Sequence, residues 1–128
     1  MLNDPVSNAL SKVLAYEKIS KKECVVKSSK TIKEVFEMMN NTGYIGSFEE
    51  IKSVRGNELK INLIGSINKC GVIKPRFSVT VQEFTKFENR YLPAEGFGII
   101  IVSTNQGIMT HEEAKEKGIG GRLISFCY

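Results

Sequence analysis

A polar, glycine-containing segment follows the most apolar run of the sequence. That run, residues 99–102, has three isoleucines and a valine, which is the length and composition of a buried strand. The next five residues are Ser103, Thr104, Asn105, Gln106 and Gly107. Their hydroxyls, amides and backbone N–H groups can bind phosphate, sugar hydroxyls or base edges, while glycine permits a turn closed to bulkier residues. The segment is a candidate binding site, although the same groups often only satisfy the backbone of a turn.

Other basic and polar side chains are candidates for contacts with a phosphate backbone. Lys74 and Arg76 flank a proline, whose fixed φ could help to aim both charges outward. Arg122 directly follows a Gly-Gly pair, and Asn8 and Lys12 lie about one turn apart on the polar face of a predicted helix. Ordinary solvated surface residues show the same pattern, so both interpretations stay open for these positions.

Catalytic and metal-binding patterns are missing from the sequence. His111 is the only histidine, and no H-x-x-H, H-E-x-x-H, nucleophile-elbow or P-loop sequence occurs. Cys24, Cys70 and Cys127 lie far apart without a C-x-x-C pair, which favours buried free thiols over disulfides or zinc binding. We therefore expect no catalytic residue, no metal site and no cofactor, with His111 at the surface or at the start of a helix.

Length and composition narrow the class of protein. The 128 residues suffice for one compact domain or two small ones, and the 41% hydrophobic and 25% charged residues are typical of a folded chain. A formal net charge of +4 permits nucleic-acid binding without requiring it. No apolar stretch is long enough to span a bilayer and no secretory pattern is present, so we expect a cytoplasmic protein without a membrane partner.

Periodicity and turn residues predict an α+β protein with two domains, residues 1–64 and 65–128. In the first domain, apolar residues at helical spacing predict one helix from Pro5 and a second helix opened by a capping box of Thr31 and Glu34. Strands are predicted at residues 24–27, 44–54 and 58–64, with a turn at 55–57. The expected order is α-β-α-β-β, and we expect this domain to pack on the second one.

The second domain is predicted to be mostly antiparallel β-structure with a short helix. Its predicted strands are residues 67–71, 77–81, 99–102 and 123–126. The helix, residues 111–117, follows Thr110, which has capping-box spacing to Glu113, and stops at Gly118. Residues 83–88 fit either a strand extension or a helical turn.

Several separated motifs resemble the eighth protein family of the ribosomal small subunit. They are Ser-Thr-Asn-Gln-Gly-Ile-Met-Thr at 103–110 with Glu113-Ala114 and Gly120-Gly121, Gly43-Tyr44-Ile45-Gly46 with Phe48, and Asn68-Lys69-Cys70-Gly71-Val72-Ile73 with Pro75-Arg76-Phe77. Together with the sequence His-Glu-Glu-Ala at 111–114, these segments look most like the archaeal and eukaryotic branch, and the chain resembles an archaeal member. The resemblance covers essentially the whole chain.

The resemblance implies a function and assigns roles to residues. It implies a structural constituent of the small ribosomal subunit that is a primary RNA-binding protein. Such a protein binds an irregular helix in the central domain of small-subunit ribosomal RNA, beside neighbouring ribosomal proteins, and supports its assembly. It implies RNA contacts by residues 103–107, with Lys74 and Arg76 at phosphates and Ser78 beside them. It implies no enzymatic activity and no small-molecule substrate. It also implies that the protein can repress translation of its own messenger RNA.

Two other classes of protein stay open at this point. One is a small enzyme that binds a phosphate ligand, using residues 103–107 as an anion nest. Such an enzyme would need a base or metal cluster near the loop, where the sequence offers His111, Glu112 and Glu113. The other is a protein-interaction module, whose binding would be insensitive to salt, unlike RNA binding.

Overall fold

The computed structural model of the chain describes residues 5–54, 56–73, 78–93 and 97–128. The chain divides into two compact units, Met1–Cys70 (unit 1) and Gly71–Tyr128 (unit 2). Both units combine helices with antiparallel strand pairs, which confirms the predicted α+β class. The predicted boundary lies between residues 64 and 65, and the assignment of RNA binding to the second half stays a prediction.

Unit 1 has the predicted order of helices and strands. Its elements are α1 (Pro5–Lys18), β1 (Glu23–Lys27), α2 (Lys30–Asn41), β2 (Phe48–Ser53) and β3 (Gly56–Asn62). The strands form an antiparallel sheet in the order β1-β3-β2. α1 contacts both α2 and β1, and the apolar stripes of the two helices are buried. Neither helix could bury its stripe alone, so this small sheet and the two helices share one core.

Several boundaries in unit 1 differ from the prediction, and β3 begins at Gly56, inside the predicted turn. Ser29, rather than the predicted threonine, caps α2, because its side chain accepts a hydrogen bond from the Ile32 N–H at 3.2 Å. β2 begins at Phe48 instead of residue 44. The preceding residues are still tied to the end of α2, since the Tyr44 N–H donates to the Met39 carbonyl at 2.9 Å.

Unit 2 combines a five-stranded sheet with two α-helices. Its elements are β4 (Cys70–Val72, of which Cys70 is the last residue of unit 1), β5 (Ser78–Val79), a 3₁₀ helix (Val81–Glu83), α3 (Phe84–Tyr91), β6 (Ile99–Thr104), β7 (Gly107–Thr110), α4 (His111–Lys117) and β8 (Gly121–Cys127). The ambiguous residues 83–88 are therefore helical from Phe84 onward. The prediction of α4 is confirmed at both ends, because Thr110 caps the helix and Gly118 ends it with a φ of +68°.

β8 is the central strand of this sheet. It pairs with β6 along one edge and with β4 and β5 along the other, while β7 pairs with the outer edge of β6. One face of the sheet joins the helices in a buried core that includes Ile100, Val102, Leu123, Phe84, Phe87 and Ala114. Residues on this face have few alternative packings, so the sheet is a firm support for the β6–β7 hairpin. Among the residues described above, no helix is both long and apolar enough to cross a bilayer.

Candidate nucleic-acid interface

The candidate segment is the tip of a β-hairpin. Asn105 and Gln106 form the turn, while Ser103 and Thr104 belong to β6 and Gly107 begins β7. The sequence did not predict a strand between this segment and the helix at 111–117, but residues 107–110 pair with β6 before α4 starts. The requirement for glycine is confirmed, since Gly107 has a φ of +117°, a conformation that strains other residues.

The Thr104 side chain closes this turn from inside. Its hydroxyl donates a hydrogen bond to the Gly107 carbonyl at 2.8 Å and accepts one from the Gln106 N–H at 3.2 Å. A hydroxyl has one hydrogen to donate, so that donor is already committed to the backbone. The role of Thr104 is therefore to fix the shape of the turn on which the Asn105 and Gln106 side chains stand, both of them exposed.

Three of the predicted site residues lie in one row across the sheet. In the strand register, Ser78 of β5 is opposite Arg122 of β8, and Arg122 is opposite Ser103 of β6. Side chains that are directly opposite on antiparallel strands lie on the same face and are neighbours. All three are exposed, and the row continues to the half-buried Ile108 of β7. The sheet thus gathers two hydroxyls and one permanent positive charge beside the hairpin tip.

A β-bulge brings Arg122 into this row. The pairing of β6 with β8 shifts by one residue between Ile101 and Val102, so that Ile101 is opposite Ser125 but Val102 is opposite Leu123. Without that shift, Leu123 would be opposite Ser103. A slip of one residue in a strand moves each side chain to the other face, so the bulge decides whether the charge or an apolar group lies beside Ser103.

The Gly120-Gly121 pair lets three strands approach closely at this row. A Cβ on Gly121 would overlap the Ser103 carbonyl oxygen and lie 2.8 Å from Val102 Cγ1. A Cβ on Gly120 would overlap the Val79 carbonyl oxygen. The sequence places Arg122 directly after this pair, but it did not predict the close approach of the three strands. Two adjacent glycines before an apolar strand are a general signal for a close approach of backbones.

The other predicted cations are placed differently. Lys74 and Arg76 lie outside the described residues. Asn8 and Lys12 are exposed on α1 in unit 1, where they line a groove of about 730 Å³ along β1. The Lys12 ammonium donates to the Val25 carbonyl at 2.6 Å and lies 5.7 Å from the centre of the Tyr16 ring. An ammonium has three hydrogens, so Lys12 retains donors for a further contact.

His111 is buried, which contradicts a surface position and confirms a position at the start of a helix. Only 1% of the residue is exposed, and its Nδ1 accepts a hydrogen bond from the Ile100 N–H at 3.1 Å. Its Nε2 lies 3.4 Å from Oε1 of Glu88, which also pairs with the Lys115 ammonium. Burial lowers the pKa of the imidazole below its usual value, while the carboxylate of Glu88 acts in the opposite direction.

The described side chains offer little to hold a metal ion. No group of three or more histidine, cysteine, aspartate or glutamate side chains within the described part of the chain is arranged to bind one. The three cysteines are free and buried, as the sequence predicts. What the site presents is an uncharged hydrogen-bonding turn with a guanidinium beside it, which suits an extended polar ligand carrying phosphates.

Comparison with known families gives one match that spans nearly the whole chain. A family model described as ribosomal protein S8 matches residues 4–128. The matched region includes the hairpin, the Ser78–Arg122–Ser103 row and α1.

Proposed function

The chain belongs to the ribosomal protein S8 family, and from this membership we propose that its hairpin tip and sheet row bind an irregular helix of ribosomal RNA. The family makes it a ribosomal protein that binds ribosomal RNA, with RNA and other ribosomal proteins as its partners. We further propose that it is a primary binding protein of the central domain of small-subunit ribosomal RNA and that it supports the assembly of that region. Its proposed location is the cytoplasm.

The observation that carries the proposal is the row formed by Ser78, Arg122 and Ser103 next to the Thr104-closed turn. A regular RNA duplex keeps the major-groove edges of its bases in a deep, narrow groove, whereas an irregular helix exposes the edges of unstacked bases. Uncharged hydroxyls and amides on a rigid support can distinguish such edges. A surface made for phosphates alone would instead be dominated by lysine and arginine.

The charged residues have a separate role in the proposal. Arg122 binds a phosphate next to the groups that Ser103 and the turn contact, because a guanidinium can make two parallel hydrogen bonds to phosphate oxygens. Lys74 and Arg76 add phosphate contacts, with Ser78 beside them. Asn8 and Lys12 of α1 contribute a second contact with the RNA backbone from unit 1. These interactions provide attraction that does not depend on sequence.

The enzyme alternative has less support from the hairpin geometry. An anion nest needs successive backbone N–H groups that are free to point at the ligand. Here the Gln106 N–H is donated to the Thr104 hydroxyl, so one of the required donors is occupied within the turn. Repression of the protein's own messenger RNA is a further proposal, which requires that the message contain a copy of the ribosomal site.

The test is a titration of a central-domain RNA fragment and of a regular duplex of equal length, at several salt concentrations. The wild type should bind the fragment much more tightly than the duplex. Ser103→Ala should lower affinity for the fragment with little change in salt dependence. Arg122→Gln should reduce the slope of log affinity against log salt by about 0.7–0.9, the value for one phosphate.

Lys86→Gln provides the matched control for charge, because Lys86 is an exposed cation of α3 in the same unit. It should leave the preference for the fragment unchanged. Equal affinity of the wild type for fragment and duplex would show that the hairpin does not distinguish irregular RNA.

A further inference from the structure

A cluster of three ionisable side chains lies beneath the hairpin in unit 2. Glu88 of α3 and His111 of α4 are each only 1% exposed. Glu88 Oε1 is shared by the His111 Nε2 and the Lys115 ammonium. Burying charged groups is costly, and packed apolar residues of similar size are often at least as stabilising. The cluster therefore calls for an explanation other than stability alone.

The hydrogen bonds of the imidazole identify its protonation state. The Ile100 N–H donates to Nδ1, so Nδ1 carries a lone pair and no proton. The ring proton is then on Nε2, which faces the Glu88 carboxylate at 3.4 Å. A neutral ring with this tautomer satisfies both neighbours at once.

The contact with Ile100 lies where the hairpin ladder ends. The register pairs Thr104 with Gly107 at the tip and Ile101 with Thr110 at the base. One further pair would set Ile100 opposite His111, but the chain turns into α4 at that residue. The imidazole then accepts the hydrogen bond that a backbone carbonyl would accept in a continued ladder.

We propose that His111 is a positioning residue for RNA binding: by joining Ile100 of β6 to Glu88 of α3, it fixes the base of the hairpin that carries Ser103 and the Asn105–Gln106 turn. The inference depends on the proposed function, because it assumes that this hairpin contacts the RNA. From Ile100 to Asn105 the strand extends about 17 Å, so a small tilt at the base displaces the tip by a larger distance.

Protonation of the ring should disturb this arrangement. The groups that face His111 are the Glu88 carboxylate from α3, the Lys115 ammonium and Glu112 from α4, and the Ile100 N–H from β6. A proton on Nδ1 would meet the Ile100 N–H as a second donor, so that hydrogen bond would be lost. The hairpin base is therefore expected to loosen as the imidazole becomes charged.

Two variants separate the contacts of the ring. His111→Asn keeps an acceptor near the position of Nδ1 but loses the contact with Glu88, and it does not titrate. His111→Leu loses both contacts. The measured quantity is the ratio of affinities for the central-domain RNA fragment and the regular duplex, together with hydrogen exchange of the Ile100 and Gln106 amides in the free protein.

We expect His111→Leu to lower the affinity ratio roughly tenfold and to accelerate exchange of both amides. His111→Asn, which keeps only the contact with Ile100, should recover part of the wild-type ratio. The wild-type ratio should fall as the pH drops below 6.5 through the lowered pKa of His111, and that of His111→Asn should not. A change in overall stability alone would not alter the ratio for folded protein.

Each other outcome is decisive. A folded His111→Leu protein with the wild-type ratio overturns the positioning role and leaves the proposed function intact. If His111→Leu does not fold, the wild-type pH profile decides, and a flat profile overturns the inference. A wild type that shows no preference for the fragment contradicts the proposed function itself.

Discussion

The carbonyl of Gly107 accepts a hydrogen bond from the Thr104 hydroxyl, so a side chain at the end of β6 closes the turn that follows it. The Thr104 hydroxyl oxygen also accepts a hydrogen bond from the Gln106 N–H. In a site proposed for RNA, the most central hydroxyl is thus occupied within the protein. Its effect on binding is expected through the shape of the turn, with Ser103, Asn105 and Gln106 making the outward contacts.

Thr104→Val tests this effect because valine keeps the branched shape and removes the hydroxyl. The loss of two hydrogen bonds in the turn should lower affinity for the central-domain fragment roughly tenfold, with an unchanged salt slope. Thr104→Ser restores the hydroxyl and should bind nearly as well as the wild type. Filter binding at several salt concentrations gives both quantities. Identical affinities for the valine variant and the wild type would contradict a role of the hydroxyl in the turn.

Gly121→Ala should destabilise unit 2. The added methyl would overlap the Ser103 carbonyl oxygen and press against Val102, so β6 and β8 would have to separate. We expect a loss of about 1–3 kcal/mol in the free energy of unfolding, measured with urea. Gly71→Ala is the matched control, since its methyl would lie 3.4 Å from the Phe126 ring, an ordinary contact. Equal losses for the two variants would mean that the close approach at Gly121 is unimportant.

Stability should depend on pH through His111. Burial holds the pKa of the folded imidazole below its ordinary value of 6.5, so the folded state binds this proton less readily than the unfolded chain. The contribution is complete above pH 6.5 and is lost as pH falls through the lowered pKa. Urea unfolding as a function of pH measures it. His111→Asn should lack this component, whereas an unchanged profile in that variant would assign the pH dependence to other groups.

The cysteine thiols should be unreactive in the folded protein. Burial, with the negative charge of Glu17 nearby, raises the pKa of Cys70 to about 12, and burial also raises the pKa of Cys24. The thiolate is the reactive form, so modification by a disulfide reagent should be slow at neutral pH and become rapid in denaturant. Rapid modification without denaturant would show that these sites open frequently.

The sequence predicted local structure better than the arrangement of the site. The helix at residues 111–117 is confirmed because Thr110 and Gly118 act on their neighbours in sequence. The row of Ser78, Arg122 and Ser103 was not predicted, because it depends on a one-residue bulge between distant strands. Residues 107–110 were not predicted as a strand, since their four residues show no clear alternation before the helix. The buried His111 contacts Glu88, which lies in a segment whose helical state the sequence left open.

The position of β8 in the sheet has a consequence for synthesis. β8 (Gly121–Cys127) pairs with β6 on one edge and with β4 and β5 on the other, so it joins strands that are synthesised before it. Until the ribosome has synthesised β8, the strand that carries Arg122 is not present between Ser78 of β5 and Ser103 of β6. We therefore expect a nascent chain to form its RNA-binding surface only after β8 has left the exit tunnel. Binding to RNA would then start only after Arg122 has been synthesised and has paired with the earlier strands.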